Sequence, residues 1–76
     1  MSAAIRYIHY DYAGRPARIA LVENDIPDAC EVYDKRLKKL VRDDSIILDV
    51  MEAYESRMIS AAEFEGLLKR AQNLPG

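Results

Sequence analysis

The chain has 76 residues, 50% of them apolar and 32% charged, a balance that belongs to a folded domain rather than a disordered segment. Its net charge of −2 gives no bulk attraction to nucleic acid or an anionic membrane, and no apolar run nears the roughly 18 residues of a membrane span. A lone Cys30 precludes an internal disulfide, and residues 1–6 lack a signal-peptide core, so the expectation is one small cytoplasmic domain over residues 1–76.

Residues 5–12 read as a strand of β-branched and aromatic side chains. Alternation sends Ile5, Tyr7, His9 and Asp11 to one face and Arg6, Ile8, Tyr10 and Tyr12 to the other. Residues 13–16, with Gly14 and Pro16, read as a turn, because proline is excluded from central strand positions. Residues 17–23 return as a second strand with Ile19 and Leu21 facing together, which completes an antiparallel hairpin.

After a break at 24–28 two readings stand nearly even. Asp25 can cap a helix starting near Pro27, with Ile26, Cys30, Tyr33, Leu37, Leu40 and Val41 on one face, and this reading is slightly preferred. The rival makes residues 30–33 a third strand, followed by a helix from Asp34, and it would reinforce a hairpin that is weak by itself.

Residues 46–71 read as two helices joined at 58–60. The first carries Ile47, Val50, Met51, Tyr54 and Met58 at 3-4-3-4 spacing, capped by Asp44 or Ser45 and widened by Ile46 and Leu48. The second begins with a capping box between Ser60 and Glu63 and a hydrophobic staple between Ile59 and Phe64. Phe64, Leu67, Leu68 and Ala71 form its stripe, Lys69 and Arg70 suit its last turn, and Pro75 and Gly76 stop it. The expected fold is therefore α+β: an N-terminal antiparallel hairpin, with a third strand as the alternative, packed on two or three helices that end in a helical hairpin.

Residues 58–64 resemble the second half of an EF-hand calcium loop. Tyr54 would then stand at a ligand position and Arg57 at the obligatory glycine, which excludes calcium. The same stretch resembles the short helical-hairpin modules found at bacterial protein termini, a resemblance that implies a fold and no activity.

Few residues carry chemistry. His9 and Asp11 share a strand face but lack a companion nucleophile, and one histidine with one cysteine makes no usual metal set. Cys30 reads as a small buried hydrophobe. The expectation is a non-enzymatic protein with no metal or cofactor. Tyrosine is enriched at interface hot spots, which makes Tyr7, Tyr10 and Tyr12 candidate partner anchors. Glu23, Asp25, Asp28 and Glu31 are candidate mimics of nucleic-acid phosphates. The function expected first is a module that masks a larger protein or protein–nucleic acid complex, of the type of the small inhibitors carried by phages and mobile elements, anti-CRISPR proteins included. The alternative is a small nucleic-acid-binding regulator or antitoxin using Lys35, Arg36, Lys38, Lys39 and Arg42. Acidic Asp34, Asp43 and Asp44 flank that run, so direct nucleic-acid contact ranks lower. A helix-turn-helix reader ranks lower still, because Glu63 and Glu65 would face phosphates. Homodimerisation is compatible with each reading, since a domain this small buries only about 60% of its unfolded surface.

Overall fold

The computed structural model describes residues 6–73. In chain order it contains β1 (Arg6–Tyr12), β2 (Arg15–Val22), β3 (Ile26–Asp34), β4 (Lys39–Arg42), α1 (Ile47–Glu52), β5 (Ser56–Ile59) and α2 (Ala61–Asn73). The strands form one sheet in the order β4-β3-β2-β1-β5, with every neighbouring pair antiparallel. This overturns the expected architecture of a hairpin on two or three helices. The sheet has five strands, and a strand followed by a helix stands where the helical hairpin was expected. Ile5, Pro75, Gly76 and the leader reading of residues 1–5 lie outside the described residues.

The first hairpin turns more tightly than its sequence suggests. Ala13 and Gly14 both adopt positive φ (51° and 87°), as a two-residue hairpin turn requires, and Arg15 already pairs with Tyr12. Pro16 consequently lies inside β2, against expectation. It is tolerated because it pairs across from Asp11 at the strand's start, one residue before pairing with β3 begins at Ala17. Asn24 and Asp25 take the left-handed backbone between β2 and β3, a conformation these two residue types accept readily.

The stretch from Pro27, for which the residues slightly prefer helix over a third strand at 30–33, is a strand through Asp34, so the strand alternative holds and extends further than expected. Asp34 then folds the chain back: its Oδ1 accepts the N–H groups of Arg36 (2.7 Å) and Leu37 (3.0 Å). Lys38 completes the turn at φ 56° and donates its N–H to the Asp34 carbonyl, and β4 follows in place of the expected helix. β4 reaches only to Arg42, opposite Glu31. Past that point Asp44 serves the unpaired backbone, accepting the N–H of Cys30 at 3.0 Å, while Asp43 N–H donates to the Cys30 carbonyl.

The expected long helix over 47–58 ends at Glu52. Ala53 is extended (ψ 143°), and the Ala13 N–H donates to the Glu55 carbonyl, which draws the chain alongside β1. Ser56 to Ile59 then pair with Tyr12 to His9. Local periodicity loses here because four residues gain a backbone ladder along an edge that β1 would otherwise leave unpaired.

The two faces of the sheet are covered differently. Tyr10, Ala17, Ile19, Leu21, Cys30 and Val32 form the main core with Val50 of α1. On the other face α2 crosses the sheet, seated by Phe64, which is 1% exposed, and tied at its far end where the Tyr33 hydroxyl donates to the Ala71 carbonyl (3.2 Å). The capping box forms as expected: Glu63 N–H donates to Ser60 Oγ at 3.1 Å, and Ser60 N–H reaches Glu63 Oε1 at 3.4 Å. Ile59, opposite His9 in β5, places its side chain on the face that Phe64 covers. No helix among the described residues is long and apolar enough to cross a membrane.

Candidate functional site

On the α2 face the polar residues of β1, β2 and β3 meet in a strip. Arg18 lies between His9 and Glu31 in register. Its Nε donates to Glu31 Oε1 at 2.7 Å, and its Cζ stands 4.7 Å from the centre of the Tyr7 ring. His9 packs on Phe64 with ring centres 4.7 Å apart. Asp11, on the same face, accepts the Gly14 N–H at 2.8 Å and an Arg57 Nη2 contact at 3.5 Å. His9 and Asp11 are thus each engaged elsewhere, and the arrangement is a cross-strand ladder rather than an oriented general base.

Burial, and after it the charge of Arg18, push the His9 imidazole below its ordinary value of 6.5, with Glu65 opposing. The folded chain therefore binds this proton less readily than the unfolded chain. The corresponding stability is present in full above pH 6.5 and is lost as pH falls from there through the folded-state value. Urea midpoints are expected to drop for the native chain between about pH 7 and about pH 5, and to flatten in His9→Phe. An equal decline in both proteins would place the effect elsewhere. Asp34 and Asp44, whose carboxyls are held below 3.8 by backbone hydrogen bonds and, for Asp44, first by Arg42, act in a lower and separable window.

The three candidate tyrosine anchors have different fates. Tyr10 is 5% exposed in the core and is not offered to a partner. Tyr12 is half-buried, donates its hydroxyl to Asp49 Oδ2 and carries Arg15 over its ring at 5.1 Å. Tyr7 alone remains exposed, at 44%. Among the acidic candidates, Asp25 pairs with Arg6 at 2.9 Å and Glu31 with Arg18, whereas Glu23 and Asp28 are exposed with no cation within 4.0 Å among the described residues. Cys30 is fully buried, and burial, then the charges of Asp43, Asp44 and Glu31, push its thiol up to about 11, so it is an inert core group.

The basic run divides. Arg42 is spent on Asp44, with Nε donating at 3.0 and 3.1 Å and Nη2 at 2.8 Å. Lys35, Arg36, Lys38 and Lys39 sit on the β3–β4 turn and at the first residue of β4, all exposed and with no carboxylate within 4.0 Å among the described residues.

The sequence reading missed a surface at the α1–β5 corner. Leu48 is 70% exposed, Met51 40%, Tyr54 101% and Met58 67%, although three of the four belong to the stripe expected to be core. Once the helix stops at Glu52, only Val50 of that stripe is fully buried. The one early signal was Leu48, an apolar residue outside the stripe. Asp49, Glu52 and Glu55 are interleaved with the patch. A separate polar cleft of about 210 Å³ between α2 and the β1–β5 edge is lined by Asp11, Arg57, Glu63 and Arg70 among others, two carboxylates and two cations that leave little net field.

No family model, no curated protein and no solved structure matches this chain.

Proposed function

We propose that the chain is a cytoplasmic, non-enzymatic binding module that docks its α1–β5 corner on a larger protein and masks it. The carrying observation is the exposed apolar group Leu48, Met51, Tyr54 and Met58, set among the carboxylates of Asp49, Glu52 and Glu55. Exposed apolar groups rimmed by charge mark interaction surfaces, and methionine and tyrosine adapt well to a partner's slot. The complementary partner offers an apolar slot bordered by cations, as a nucleic-acid-handling protein does. Occupying such a groove with an acidic, aromatic corner is the mode of action of a small inhibitor, and the chain's size and acidity suit the phage and mobile-element type, anti-CRISPR proteins included.

The test is affinity capture by the tagged chain from nuclease-treated host lysate, with native chain, Leu48→Glu and Met58→Glu compared. The expected result is one stoichiometric protein retained by the native chain and weakened at least about tenfold by each variant, while thermal melts stay unchanged. Retention by both variants, collapse of the capture on nuclease treatment, or a partner that is a second copy of the chain would each overturn the reading.

A further inference from the structure

The molecule carries a second surface at some remove in sequence and of opposite charge. Five cations gather where β2 begins and β3 turns into β4. Arg15 lines the same groove as Asp34, and Lys35, Arg36, Lys38 and Lys39 occupy the turn and the first residue of β4. Arg15, Lys35 and Arg36 line one groove of about 390 Å³ with Val32 and Val41, to which Asp34 and Asp43 also contribute. Those two carboxylates are already engaged, Asp34 by the Arg36 and Leu37 N–H groups and Asp43 by the N–H and hydroxyl of Ser45. Both carboxylates keep their negative charge in these hydrogen bonds, and against those two charges the five cations leave the tip net positive. Lys35, Arg36, Lys38 and Lys39 face solvent with no carboxylate within 4.0 Å among the described residues. Leu37 is held out among them, 58% exposed.

We propose that this hairpin tip is a contact surface for the phosphate backbone of duplex nucleic acid. Three features favour that ligand over an acidic protein. The cations lie on a two-strand turn, and adjacent strands stand only about 4.8 Å apart, so the tip is narrow enough for a duplex major groove about 12 Å wide. The span from β2 to β4 is two strand spacings, about 10 Å, which faces about three phosphates on one strand. An apolar side chain projecting among cations also suits a groove, where phosphates flank the less polar base edges and sugars. Arg42, the sixth basic residue nearby, is excluded by its bidentate pairing with Asp44. The inference rests on residues other than the α1–β5 patch and stands or falls independently of it.

The experiment is fluorescence anisotropy of a labelled duplex of about 20 base pairs with the whole purified chain, at salt from about 50 to about 200 mM. Saturable binding is expected, with log affinity falling against log salt at a slope of about −3.6 to −4.5, the value for four or five phosphate contacts. Lys38→Glu/Lys39→Glu and Lys35→Glu/Arg36→Glu should each weaken binding at least about tenfold and reduce the slope by about 2. Leu48→Glu should leave duplex binding intact, and both tip variants should still capture the protein partner. Absence of saturable binding, indifference to both double variants, or equal competition by polyglutamate and unlabelled duplex would overturn the proposal, the last by making the ligand an acidic protein.

Discussion

Phe64→Ala is expected to lower stability by about 3–5 kcal/mol, the usual loss for an aromatic removed from a packed site. Phe64 is the fully buried residue of α2 and packs on the sheet against His9, with ring centres 4.7 Å apart. The remaining contacts of the stripe, Leu67, Leu68 and Ala71, are only half-buried and cannot compensate for its loss. A domain of this length holds about 4–11 kcal/mol in total, so the variant forfeits about a quarter of that or more. The melting temperature should fall by at least about 12 °C, since each kcal/mol shifts a small domain by about 4–8 °C. A thermal melt followed by circular dichroism decides it. A loss under about 1 kcal/mol would mean that α2 is not held on the sheet by this side chain. Ser60 and Glu63 still cap the helix in the variant, so α2 should loosen from the sheet and exchange its amide protons before the strands do.

Ile19→Ala should destabilise the opposite face by about 2–5 kcal/mol, and Ile19→Val by only about 0.5–1.5. Ile19 is fully buried in β2, the middle strand, between Ile8 of β1 and Cys30 of β3, and it shares its core with Val50 of α1. A cavity at that point is bordered by three strands and a helix, so the surroundings have little freedom to collapse into it. Urea unfolding monitored by tyrosine fluorescence measures the loss directly. A graded effect, with Val mild and Ala severe, is the signature of packing. Equal effects for Val and Ala would point instead to a change in the backbone pairing of β2.

The two proposed surfaces carry opposite charge and different chemistry. The α1–β5 corner is apolar with carboxylates around it, and the β3–β4 tip is cationic. A chain of net charge −2 hides that division, because the sum over all residues cancels what the fold has separated.

Several parts of the fold were legible in the residues. The β1–β2 hairpin followed from alternation and from Gly14, and the start of α2 followed from Ser60, Glu63 and Phe64, whose spacing only a helix N-terminus explains. Cys30 as a buried hydrophobe followed from its type. These features share one property: the interactions that produce them lie within a few residues of each other. The candidate site was read less well. Tyr7 was recognised and is exposed, but Tyr10 entered the core because its face of β1 packs with Val50 of α1, a long-range contact that the sequence pattern does not record.

What the sequence determined by itself was therefore local: turns, caps, and an apolar content sufficient for one core. Only the tertiary structure decided that residues 27–42 form two strands, that the helix from Ile47 stops at Glu52, and that Ser56 to Ile59 become β5. A third strand over 30–33 stands nearly even with helix in the residues, whereas the overlong helix after Ile47 follows from Ile47, Val50, Met51, Tyr54 and Met58, which satisfy a 3.6-residue period that a strand does not need. The physical reason is that a strand at a sheet edge is stabilised by a ladder to residues far away in the chain. His9 lies 50 positions from Ile59, and no periodicity within a short window records that pairing.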